Sequence, residues 1–188
     1  QRAVADGQLD PAAVAEQAER FGEIAAGFGA ADFLWAERLE DRNRLWKMRH
    51  NAYPAILASR PGARAIITDV CVPISRLAQA VEETRADIAA SGIPSPILGH
   101  VGDGNFHAIL LVDPSKPDEA ATAKALAKRM AERSLRLGGT ITGEHGVGFG
   151  KLGLMAAEHG AGWQVMGAVK AALDPLNLMN PGKLVPGQ

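Results

Sequence analysis

The stretch Ile97-Leu98-Gly99-His100-Val101-Gly102-Asp103-Gly104-Asn105-Phe106-His107-Ala108-Ile109-Leu110-Leu111-Val112 decides the fold. Two apolar runs, Ile97 to Val101 and Phe106 to Val112, are of strand length and flank a turn candidate at Gly102 to Asn105. Asp-Gly favours a type I′ turn, whose two central residues both need positive φ. With Asp103-Gly104 at the centre, Gly102 faces Asn105, Val101 faces Phe106 and His100 faces His107. The spacing therefore predicts an antiparallel hairpin with both histidines on one face, their Cβ atoms about 4.5–5.5 Å apart. Two imidazoles so placed can share a cation or can hydrogen-bond inside a packed sheet, and the spacing alone admits both.

Outward from the hairpin, Ile66 to Val72 is a short β-branched run, and Ile74, Leu77, Val81, Thr84 and Ile88 follow at helical spacing up to Ser91-Gly92. Beyond it, Ser115 is a candidate cap for a helix entered through Pro117, with Leu126, Met130 and Leu137 on one face; Gly138-Gly139 ends that helix and Thr140 to Thr142 is a last short strand. The order from Arg64 to Thr142 reads β-α-β-β-α-β, so the expected class is α+β: a ferredoxin-like antiparallel sheet with helices on one face. Upstream, Asp10-Pro11 opens an amphipathic helix carrying Val14, Ala18, Phe21, Ala25 and Phe28, and a second helical pattern runs from about Trp35 towards Ser59, broken or kinked by Pro54. Downstream, Lys151 to Glu158 and Trp163 to Leu173 read as helices before an irregular stretch, Asn177 to Gln188, which makes the C-terminal tail helical.

Composition excludes several classes. A formal net charge of −1 over 188 residues, with no Lys/Arg block among the aromatics, argues against nucleic acid as a partner. A lone Cys71 forbids an internal disulfide and fits a reducing compartment; the expected location is cytoplasmic or peripheral to the inner membrane. No apolar run reaches the ~20 residues of a membrane span, and residues 1 to 20 lack a signal-peptide layout. The chain opens on Gln1, so further sequence upstream is expected.

Chemistry concentrates in a few places. Thr142-Gly143-Glu144-His145-Gly146-Val147-Gly148 follows the last strand of the same sheet, and its glycines leave the backbone open to a ligand. Glu144 can complete a His100–His107–Glu144 metal site with His145 beside it as a base, or the segment can be an ordinary exposed loop. Arg49, close to Leu45 and Trp46, suits bidentate capture of a carboxylate, although a solvated helical Arg has the same appearance. Asn180-Pro181-Gly182-Lys183 reads as a turn. Phosphate binding is disfavoured: Gly99 to Gly104 runs G-x-x-G-x-G, lacks a following Lys-Ser/Thr, and leads into a strand.

Together these strings, with Leu45-Trp46 to Asn51, Thr68-Asp69-Val70-Cys71-Val72-Pro73 and Leu173-Asp174-Pro175 through Lys183, resemble the C-terminal half of the vanillyl-alcohol-oxidase type FAD-linked oxidases. The resemblance is greatest to the D-lactate dehydrogenase (cytochrome) branch near glycolate oxidase, and covers nearly all of Trp35 to Val185. It implies that His100, His107 and Glu144 bind a divalent metal, zinc or manganese, that His145 is the base, that Arg49 holds the substrate carboxylate, and that Asn180 approaches the flavin. It implies hydride transfer from a small 2-hydroxy acid to FAD. His107-Ala108-Ile109 departs from the His-x-Asn of the hydroxyglutarate branch, which favours a substrate such as lactate over a dicarboxylate. On this reading residues 1–188 are one substrate-binding domain with its tail, residues 1 to 10 do not read as the expected cap strand, and an FAD-binding domain is supplied in cis or in trans. The chain alone is then inactive, its electron acceptor is undetermined, and a homo-oligomer is compatible with it. Two other classes stay open: a self-sufficient metal hydrolase, and a non-catalytic domain whose Met166, Val169 and Leu173 dock onto a partner.

Overall fold

The computed structural model describes residues 10–30 and 33–185. The cap-strand expectation for residues 1 to 10 lies almost wholly outside them. The chain divides into two compact units, residues 1–54 and 55–188.

In the first unit, α1 (Pro11–Gly27) starts where Asp10 accepts the N–H of Ala12 at 3.0 Å and Pro11 pre-sets the first turn. Its apolar stripe is not a buried one: neither α1 nor α2 (Leu39–His50) contains a buried residue, and Phe21 and Phe28 are exposed. Phe21 does pack against Phe33, ring centroids 5.0 Å apart and the rings tilted by 44°. The second helical pattern breaks at Asn51 rather than at Pro54, because Pro54 falls in the first turn of α3 (Ala52–Ala58), where its missing N–H leaves no helical bond unmade.

The second unit is built around β4 (Asn105–Val112), every residue of which is buried. Along one edge run β1 (Arg64–Ile67) and β2 (Val70–Cys71), antiparallel and in one continuous register, Ile67 opposite Ile109 and Val70 opposite Phe106. On the other edge lies β3 (Ile97–Leu98). Cys71 bridges to Thr140 in place of a full last strand. The spatial order, Thr140, β1–β2, β4, β3, is that of the split βαβ arrangement, and the α+β class stands. Phe106, Ala108, Leu110 and Val112 join Ala80 of α4 (Ile74–Ser91) and Ala123, Leu126 and Met130 of α5 (Pro117–Arg136) in one apolar core. By strand alternation, Asn105, His107, Ile109 and Leu111 face the other way, off the side that carries these helices.

Two local expectations are corrected. The hairpin register differs by two residues: Leu98, not His100, lies opposite His107. Val101–Asp103 forms a turn of 3-10 helix, and only Gly104 takes positive φ, at 77°. Residues 99–104 therefore loop outside the sheet, and pairing extends instead towards Pro94 and Pro96, whose carbonyls accept the N–H groups of Leu111 and Ile109. Ser115 does not cap α5; its hydroxyl and N–H both donate to Asp113, and Lys116 occupies the cap position. C-terminally, a 3-10 turn (Leu152–Leu154) leads to α6 (Met155–His159) and α7 (Ala161–Leu173).

Candidate metal centre

The face of β4 turned away from α4 and α5 presents His107, 4% exposed, and the loops at either side bring two further ligands to it. His100 arrives from the loop after β3, and Glu144 from the loop after Thr140. Glu144 Oε1 lies 3.0 Å from His107 Nε2 and 3.4 Å from His100 Nε2. All three ligand atoms lie within 4.8 Å of one another. Ligands about 2.0–2.1 Å from a tetrahedral metal stand about 3.4 Å apart, so the spacing of Glu144 from each histidine is close to that of such an ion's ligands. His100 and Glu144 keep nearly half of their side-chain surface accessible, leaving room for further ligands. Two imidazoles and one carboxylate match zinc, manganese or iron(II). Despite the different strand register, the histidine rings meet edge to face with centroids 6.2 Å apart.

His145 completes the cluster. Its ring stacks on His107 at 4.9 Å between centroids, and its Nε2 lies 3.6 Å from Glu144 Oε1.

Close backbone approach makes this arrangement possible. A Cβ at Gly143 would stand 1.8 Å from Asn105 Nδ2, and one at Gly99 would stand 2.4 Å from the Asn105 carbonyl oxygen. Only glycine fits at either point.

Behind the cluster is a buried carboxylate to which the sequence reading gives no role. Asp69, 2% exposed, accepts hydrogen bonds from Asn105 Nδ2 (2.8 Å), the Thr142 hydroxyl (2.9 Å) and the N–H groups of Gly143 (2.9 Å), Glu144 (3.0 Å) and His145 (2.8 Å). Burial works to raise its pKa, but these donors, that of His145 foremost, hold it well below the usual carboxylate range. The Lys151 ammonium, 3.7 Å away, adds a positive charge, while burial lowers the lysine's own pKa. A polar Thr68-Asp69 pair inside a β-branched run was the available signal.

The other two candidate residues stand in different surroundings. Arg49 belongs to the first unit, exposed on α2, with its guanidinium 5.3 Å from the Trp46 ring centroid. Asn180, exposed and at a φ of 48°, lines an apolar groove of about 720 Å³ with Gly146, Val147, Val165, Val169 and Leu173. Asp174 shapes that tail by accepting the N–H groups of Leu178 (2.9 Å) and Met179 (2.8 Å) and pairing with Lys170.

The model of the FAD linked oxidases, C-terminal domain, matches residues 6–184, and the chain belongs to that family. It is 51% identical to the probable D-lactate dehydrogenase, mitochondrial, of Danio rerio over 90% of this chain and 34% of the relative. Identity is 41% to the D-lactate dehydrogenase [cytochrome], mitochondrial, of Arabidopsis thaliana, over 91% of this chain and 30% of that one. It is 35% to glycolate oxidase subunit GlcD of Escherichia coli, over 92% and 34%. The chain thus spans about a third of the length of these relatives.

Proposed function

We propose that this chain is the substrate- and metal-binding part of an FAD-dependent dehydrogenase acting on a small D-2-hydroxy acid of the lactate type. The observation that carries the proposal is the convergence of His100, His107 and Glu144 within 4.8 Å, in a family of FAD-linked oxidases. The names of the relatives support the substrate class.

When bound, the metal lowers the pKa of a hydroxyl, and FAD supplies the acceptor for a hydride. His100, His107 and Glu144 orient the hydroxyl by holding that ion. His145, half-exposed and beside the cluster, takes the hydroxyl proton on its imidazole. Arg49 is assigned the substrate carboxylate on its chemistry alone, as a cation held over an aromatic ring. Ile109, apolar and on the His107 face, offers no partner for a second carboxylate. The groove beside Asn180, lined by exposed Val165, Val169 and Leu173, is the surface we assign to the flavin side, supplied by an FAD-binding domain in cis or in trans.

Isothermal titration of the chain with Zn(II) and Mn(II) tests the metal assignment. One site is expected, weakened by at least about 100-fold in His107→Ala, since a ligand matters more than the outer partners, which are worth 10–100-fold. No binding by the wild-type chain, or equal binding by the variant, refutes the assignment.

A further inference from the structure

We propose that the break Thr68-Asp69 between β1 and β2 is the positioning element of the metal centre: Thr68 fixes which nitrogen of His107 is free to bind, and Asp69 fixes the loop carrying Glu144 and His145. This rests on the metal reading above.

Pairing with β4 keeps the same register on both sides of the break, so no residue is inserted there. What changes is one peptide group. The Thr68 N–H donates to the Ala108 carbonyl at 3.0 Å, as an antiparallel ladder requires. The return bond is different. The Ala108 N–H donates to the Thr68 hydroxyl at 2.7 Å, not to the Thr68 carbonyl, and that hydroxyl donates in turn to the Ala108 carbonyl at 3.2 Å. A side chain thus stands in the ladder for a backbone acceptor. The carbonyl it releases accepts His107 Nδ1–H at 3.0 Å.

A carbonyl can only accept, so His107 Nδ1 carries the proton, and in the neutral ring Nε2 carries the lone pair. Nε2 is the atom that faces Glu144 at 3.0 Å. Metal-binding histidines are held in this way through their other ring nitrogen. The neighbouring residue acts on the facing loop: three consecutive N–H groups, of Gly143, Glu144 and His145, converge on the Asp69 carboxylate. Turning the backbone inward at these residues sends the Glu144 and His145 side chains to the open side. Both Thr68 and Asp69 are buried, at 4% and 2% exposure, so neither reaches a substrate.

Thr68→Val keeps the shape of the side chain but removes the stand-in acceptor, and the buried Ala108 N–H must recover the backbone carbonyl at the expense of His107. Thr68→Ser retains the hydroxyl. Asp69→Asn keeps size and loses the charge that gathers the loop. The ring 15N shifts of His107, read by two-bond proton–nitrogen correlation on the full chain, report the tautomer directly, and Zn(II) titration reports affinity. Wild type and Thr68→Ser are expected to show protonated Nδ1, with affinities within about 3-fold of each other. Thr68→Val is expected to show mixed tautomers, and both it and Asp69→Asn to lose about 10–100-fold in affinity. Unchanged shifts and affinity in Thr68→Val overturn the claim for Thr68, and unchanged affinity in a folded Asp69→Asn overturns it for Asp69. If Thr68→Val does not fold, wild-type shifts showing a proton on Nε2 still overturn it. If the wild-type chain binds no ion, the metal reading fails, while the ring shifts still decide the tautomer.

Discussion

At the scale of single residues, the site depends on two glycines as much as on its ligands. Gly143 sits where any side chain would overlap the Asn105 amide, and that amide is one of the donors holding Asp69. Gly143→Ala must therefore push the loop off Asp69. Overpacking of this kind costs about 1–3 kcal/mol, and we expect a lower midpoint of thermal unfolding together with a loss of ion affinity. An unchanged midpoint and affinity would show that the loop has more freedom than its contacts indicate. The candidate residues could be named from the sequence because His100 and His107 flank the Asp103-Gly104 turn signal and Glu144 and His145 stand in a glycine-rich loop. Asp69 could not be, because the polar Thr68-Asp69 pair in a β-branched run marks an oddity without saying what it binds: its partners lie 36 to 76 positions away. The tautomer of His107 depends on one rotated peptide, which no residue pattern encodes.

Among the elements, the order of strands and helices from Arg64 to Thr142 follows from hydrophobic period and turn residues, and the structure keeps it. Register is a different matter. An Asp-Gly pair predicts a tight hairpin only if the strands run right up to it, and here Gly99 packs so closely on Phe106 that the chain leaves the sheet early and returns through a 3-10 turn. The histidines still meet, because β3 ends with Leu98 opposite His107 and His100, two residues further on in the loop, reaches the same Glu144 carboxylate as His107. The tail after α7 rests on Asp174, whose carboxyl the Lys170 ammonium holds down at about 2, with the N–H groups of Leu178 and Met179 adding to the effect. Its folded value lies below the ordinary 3.8, so its contribution to stability is present above pH about 4 and disappears as the pH falls towards about 2. Thermal unfolding followed from pH 5 to pH 2 should show a steeper fall for wild type than for Asp174→Asn. Parallel curves would mean that the cap contributes nothing to the tail.

For the molecule as a whole, α4 and α5 pack on one side of the sheet, and the candidate site is assembled on the other side from β4 and two flanking loops. The apolar groove beside Asn180, lined by Val165, Val169 and Leu173, is a second surface of the same unit. The chain spans only about a third of the length of its relatives. The central claim, a metal-dependent site for a 2-hydroxy acid, is tested most directly by water-proton relaxation of the Mn(II)-loaded chain titrated with D-lactate and, separately, with propionate. Propionate keeps the carboxylate and lacks the hydroxyl. The account predicts that D-lactate displaces metal-bound water and lowers the relaxation enhancement while propionate leaves it unchanged; no effect of D-lactate, or an equal effect of both, would contradict it.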